Sequence, residues 1–175
     1  LEGLADIERE RERFAELAHL LGRRALLEAE ARVSVPLWLE LARLQLGPLA
    51  RAEAARESLE RALSLSPNET EALRALASLH AAAGRYPAAE RHMRRLIEVY
   101  EQEGFDEPAG AVYAAFAEIL AAQHRDTEAL EVAGKARDAD PNRIPTYETA
   151  QDMLLKRGDV EGIVAFMVAG MERAR

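Results

Sequence analysis

"ASLHAAAGRYPAAE", Ala77 to Glu90, decides how the rest of this chain is read. An alanine-rich run reaches Gly84, passes through Arg85 and Tyr86, and restarts at Pro87. Glycine supplies the left-handed residue that closes a helix, and proline suits the first turn of the next. The stretch therefore predicts a helix, a tight turn and a second helix. "LLKRGDVEGI", Leu154 to Ile163, has the same shape, and Gly158 follows Gly84 by 74 residues. "LSLSPNETEAL" from Leu63 and "ARDADPNRIPTY" from Ala136 place Pro67 and Pro141 at the same 74-residue offset. That offset divides into units of 34 and 40 residues, so the hairpin recurs.

Composition agrees with an all-α chain. Ala, Leu, Glu and Arg dominate the 175 residues and favour helix, while only 5% are aromatic. At 49% apolar and 31% charged the chain is not disordered. The absence of cysteine excludes disulfides and thiolate metal sites. A net charge of −8 argues against nucleic acid as a partner. Glu101 to Pro141 carries ten acids against Arg125, Lys135 and Arg137, and a basic cluster, Arg91, Arg94 and Arg95, precedes it. Lysine occurs only at 135 and 156, so arginine supplies the other basic residues, as expected of a GC-rich bacterial genome. No apolar run approaches the roughly 18 residues of a membrane span, and no leader is legible. The chain begins at Leu1, so it is expected to be a segment of a longer protein. The expected compartment is the cytoplasm, with a periplasmic or membrane-associated setting left open.

With Thr70 as position 1, Leu73, Leu76, Ala77, His80, Gly84, Ala89, Met93 and Leu96 fall at positions 4, 7, 8, 11, 15, 20, 24 and 27. From Gly110, Tyr113, Phe116, Ala117, Leu120, Ala129, Ala133, Ala136 and Pro141 fall at 4, 7, 8, 11, 20, 24, 27 and 32. From Ile144, Tyr147, Ala150, Leu154, Gly158, Ile163 and Met167 fall at 4, 7, 11, 15, 20 and 24. Positions 4 to 11 make an apolar stripe on the first helix, and 20 to 27 one on the second. Small residues at 8 and 20 let two backbones approach.

This pattern resembles the tetratricopeptide repeat family. The resemblance covers residues 35 to 175 well. It is loose over Leu1 to Val33, where Leu1, Leu4, Ala5, Phe14, Leu17 and Leu21 have suitable spacings. It implies a right-handed α-solenoid of antiparallel helical hairpins, about four full repeats and a partial one, in a single domain over 1–175. The expected units are 1–34, 35–69, 70–109, 110–143 and 144–175. There are departures. The unit from Val35 needs one extra residue in its turn near Gly47-Pro48. The unit from Thr70 is six residues too long, which we assign to a long second helix, Ala88 to Gln102, and an acidic loop, "EQEGFDEP". His124 stands where the turn expects glycine, and Gly170 where position 27 expects alanine.

No catalytic constellation is present: there is no phosphate loop, no nucleophile elbow and no His pair at metal-ligand spacing. No enzyme activity, metal or cofactor is expected. His80 occupies a core slot.

The resemblance implies a protein or peptide partner held by the first helix of each hairpin, at positions 2, 5, 9 and 12. These are Leu39, Arg43 and Leu46; Glu71, Arg74, Ser78 and Ala81; Ala111, Ala114, Glu118 and Ala121; Pro145, Glu148, Asp152 and Leu155. The expected groove has room for a helical segment between its alanines. It is basic at Arg43 and Arg74 and acidic at Glu118, Glu148 and Asp152, which suits a partner with a basic stretch. The Lys and Asn that grip a chaperone tail's carboxylate in this family are absent. The last helix is apolar nearly all round, so Ile163, Phe166, Met167 and Met171 are expected to meet further chain, a partner or a second copy. Phe105, alone among acids, is another candidate contact. The expected role is an adaptor or scaffold; the alternatives are a spacer, a homodimerisation segment, or the non-catalytic arm of an enzyme.

Overall fold

The computed structural model describes residues 2–103 and 106–174, with side chains over 10–102 and 109–174. Among these residues the only regular secondary structure is helix: α1 Glu2–Leu27, α2 Ala31–Leu46, α3 Ala52–Leu65, α4 Thr70–Ala82, α5 Tyr86–Glu103, α6 Asp106–Ala122, α7 Asp126–Ala139, α8 Ile144–Lys156 and α9 Val160–Arg173. The helices pair antiparallel as hairpins of an α-solenoid. Two compact units divide the chain, Leu1–Ala82 and Ala83–Arg175.

In the first unit α1 packs on α2, α2 on α3, and α3 on α4. The opening segment gives one uninterrupted helix, so it supplies a single element where a partial hairpin was expected. Its inward stripe is Phe14, Ala18, Leu21 and Ala25, while Leu17 is exposed. The side chains of Leu1, Leu4 and Ala5 lie outside the described residues. Helix α2 starts at Ala31, four residues before Val35. Ser34, at 2% exposure, donates from Oγ to the Ala25 carbonyl oxygen (2.9 Å), satisfying a carbonyl in the last turns of α1.

In the second unit α5 packs on α6, α6 on α7, α7 on α8 and α8 on α9; α6 also neighbours α8, and α7 neighbours α9. The acidic stretch from 101 is less irregular than expected. Helix α5 runs to Glu103 and α6 begins at Asp106. Glu-Gln-Glu continues a helix well, and Asp, Glu and Pro suit a first turn. The proposed contact of Phe105 lies outside the described residues.

The small positions behave as their spacing requires. Ala42, Ala55, Ala77, Ala89, Ala117 and Ala129 are at most 1% exposed. Leu59, Leu76, Leu96 and Leu120 fill the layers beside them, each contributing about 2–3 kcal/mol by burial.

The described residues with positive φ are Ala50 (52°), Gly84 (68°), His124 (58°) and Gly158 (68°). They are the same residue of four successive turns, with Ala50 displaced by the one extra residue expected there. Side chains in this conformation cost about 1–2 kcal/mol, and glycine's greater freedom when unfolded offsets about 0.5–1 of that. His124→Gly and Ala50→Gly are therefore each expected to stabilise the chain by about 0.5–1 kcal/mol in urea unfolding. Destabilisation by either would mean the side chain has a packing role that outweighs its strain.

Candidate protein-interaction site

The residues expected to line a groove do not behave alike. In the first unit Arg43 is exposed but committed. Its guanidinium grips the Glu71 carboxylate through two hydrogen bonds, Nε to Oε1 (2.6 Å) and Nη2 to Oε2. Arg74 and Ser78 are exposed on α4, and Arg74 also has interactions within the fold. Leu39 is buried and does not line a surface.

In the second unit Ala114 is buried at 5%, so it offers little contact area. Glu118 on α6 and Glu148 and Asp152 on α8 are all exposed, and α6 and α8 are neighbours. None of the three carboxylates is ion-paired among the described residues. Several of the unit's arginines pair with other acids. Arg125 joins Glu90 and Glu128 (each 2.6 Å), Arg94 joins Glu90 (2.7 Å), and Asp138 receives Arg137 (2.7 Å) and Arg173 (3.3 Å). Leu155, 52% exposed, lies on α8 three residues after Asp152. The expected acidic groove residues are thus open, while of the expected basic ones Arg43 is neutralised.

The Glu90 cluster ties α5 to the start of α7. Burial, the largest single influence, pushes the Glu90 carboxyl up; hydrogen bonds from Arg125 and Arg94, with their charges, outweigh it and hold the group below its usual value. The stabilisation is therefore fully present above the unfolded value near 4.5 and is lost as pH falls through the lower folded value. Glu90→Gln is expected to lose less stability than wild type between about pH 6 and pH 3. Identical acid limbs in urea unfolding would refute that assignment.

At the C-terminal end the structure redistributes the expected interface. Phe166 lies edge-on to Tyr147 (5.8 Å between centroids, 79°), and the Arg137 guanidinium sits 4.7 Å from the Phe166 ring centre. Ile163, Phe166 and Met167 are half-buried. The exposed apolar residues of α9 are Val160, Val164, Val168 and Met171, at a spacing of four, four and three. Of the four residues expected at this face, Met171 alone belongs to that stripe. The repeat register contained the signal, since it already put Ile163 and Met167 at inward positions 20 and 24. Pro141, Ile144, Tyr147, Met167, Gly170 and Met171 border a shallow apolar groove of about 530 Å³ beside it.

His80 is buried in its core slot. Among the described residues no group of three or more His, Asp or Glu is placed to hold a metal ion. Among them, too, no helix is long and apolar enough to cross a membrane.

Comparison with known proteins places this geometry. The tetratricopeptide repeat family profile matches residues 50–108. No curated protein matches the sequence. Among solved structures, a crystal structure of MamA superposes with a TM-score of 0.75 at 17% identity, over 95% of this chain and 92% of that one. BtubC (BKLC) from P. vanneervenii superposes with a TM-score of 0.75 at 15% identity, over 98% of this chain and 77% of that one. These likenesses establish the fold, and extended stacks of such hairpins serve as binding surfaces. Residues 50–108 thus match a tetratricopeptide repeat profile, and the chain shares the α-solenoid fold of those structures.

Proposed function

We propose that residues 1–175 act as one adaptor module that holds a partner's basic helical segment along α6 and α8. Glu118, Glu148 and Asp152 receive its charges and Leu155 meets its apolar side. Arg43, Arg74 and Ser78, on the first unit, are separate candidate contacts. The observation that carries this reading is that three exposed carboxylates on neighbouring helices stay unpaired while Arg125 and Arg137 of the same unit are paired with other acids. Such a surface steers a cationic partner and sets its register. The test is the binding of a fluorescent amphipathic Lys/Leu helical peptide to wild type and to the Glu118→Lys, Glu148→Lys, Asp152→Lys variant. The variant is expected to bind about tenfold more weakly or worse; equal affinity removes the site from α6 and α8.

A second reading rests on the α9 stripe. Four exposed apolar side chains in register on one helix suit packing against a second copy. In sedimentation, concentration-dependent dimers that disappear in Val164→Asp would support it, and a monomer at all concentrations would end it. Val164 is the appropriate position, because Phe166 packs within its own unit.

A further inference from the structure

The first unit contains a cleft, about 530 Å³ in volume, with α1 on one side, α3 on the other and α2 as its floor. Leu26, 69% exposed, and the half-buried Ala15 and Ala54 supply its accessible apolar surface, with Trp38, Leu41 and Leu49 buried at its base. Arg23 from α1, Arg51 at the start of α3 and Arg61 further along α3 stand on the rim, all exposed, with His19 beside them. None of these three arginines forms an ion pair or side-chain hydrogen bond among the described residues. Glu57 is the acid on the same rim. Three arginines around one acid stand out in a chain of net charge −8.

The corresponding cleft of the second unit, between α5 and α7 over α6, makes the contrast sharp. It is bordered by four acids, Glu98, Glu101, Glu128 and Glu131, against Arg94 and Lys135. Most of its groups are partnered within the unit. Tyr113 donates to Glu101, Arg125 holds Glu128, and Arg94 and Lys135 lie over the rings of Phe116 and Tyr113. The same repeat geometry thus carries reversed charge in the first unit, and there the charges are unmatched.

We infer that the α1–α3 cleft binds an acidic peptide segment carrying apolar anchor residues. Its apolar side chains rest on Leu26, Ala15 and Ala54 above the buried Trp38, and its carboxylates meet Arg23, Arg51 and Arg61. A lone small anion does not fit the arrangement. Arg51 and Arg61 are ten residues apart along a helix, or about 15 Å, a distance spanned by about five extended residues or three helical turns. The floor is apolar, which favours a ligand that brings apolar surface of its own. This surface is separate from the acidic α6/α8 face and calls for the opposite charge in its partner.

Trp38 is the single tryptophan of the chain, so its emission reports on this cleft alone. The experiment titrates the full chain with a labelled helical peptide of about 14 residues, Leu on one face and Glu on the other. Anisotropy measures binding and Trp38 emission locates it. The Lys-for-Glu peptide and sodium phosphate serve as comparisons. The expected result is saturable binding of the acidic peptide with a shift in Trp38 emission. Affinity should fall about tenfold or more in the Arg23→Gln, Arg51→Gln, Arg61→Gln variant, and again when salt rises from about 50 to about 300 mM. Unchanged far-ultraviolet circular dichroism would show that the variant is folded. The inference is overturned if the acidic peptide does not bind, if the variant binds it equally, or if Trp38 responds as strongly to the basic peptide or to phosphate.

Discussion

Ala129→Leu is expected to be the most damaging single substitution in the second unit, costing about 3 kcal/mol and lowering the urea midpoint accordingly. Ala129 has no exposed surface and stands at position 20, where α7 meets α6. On α6, which packs against α7, Ala117 is 1% exposed and Leu120 is fully buried. A leucine adds three carbons to a site closed on every side. The helices must separate, or the new side chain must adopt an eclipsed rotamer. Leucine also has nearly the helix propensity of alanine, so local preference does not explain a large loss. A change within 0.5 kcal/mol, about the scatter of surface substitutions, would mean that α6 and α7 are less tightly packed than described.

Gly170→Ala carries a sign that distinguishes local from tertiary reasoning. Replacing a glycine inside a helix by alanine ordinarily gains about 1 kcal/mol, and alanine is the residue that position 27 expects. Here a Cβ at 170 would lie 2.0 Å from the Tyr147 hydroxyl oxygen and 2.7 Å from two ring carbons. Tyr147 is not free to move aside, because its hydroxyl donates to the Pro141 carbonyl oxygen (2.7 Å) and its ring meets Phe166 edge-on. Displacing it forfeits both contacts. The expected result is a net loss of about 2 kcal/mol. In the Tyr147→Phe background the nearest clash disappears, so the penalty of Gly170→Ala should shrink by about half. A stabilising Gly170→Ala, or a penalty unchanged by Tyr147→Phe, would contradict this account of the terminal hairpin.

Gly170 illustrates what the sequence does and does not disclose. The repeat register flags it as a departure, but the reason is a tyrosine 23 residues earlier in the chain. Local rules read well wherever the cause is local. Gly84 and Gly158 announce their turns by identity, and Ala50 and His124 by count alone, since all four share one backbone conformation. The buried alanines follow from period. Helix ends read less well: α2 begins four residues before Val35, and its Ser34 caps a carbonyl of the preceding helix, a contact no periodicity encodes.

The candidate surfaces were legible by position more than by state. Glu118, Glu148, Asp152 and Leu155 are exposed as the family's register implies. Whether a charge is available depends on pairs distant in sequence. Arg43 is engaged by Glu71, 28 residues away, and Arg125 by Glu90, 35 residues away. For the same reason Arg23, Arg51 and Arg61 carry no signal in one dimension. Only the packing of α1, α2 and α3 brings them round one cleft. The outward stripe of α9 was masked by composition, because inward and outward positions are both apolar there.

The central claim, that the open carboxylates of α6 and α8 receive a protein partner, is tested most directly by comparative capture. The chain and its Glu148→Lys, Asp152→Lys variant are each used as bait in lysate of the source organism and read by quantitative mass spectrometry. The account predicts a protein with a basic helical segment that is captured by wild type and depleted about tenfold or more with the variant. Equal capture by both baits would contradict it and move the partner to another surface of the molecule.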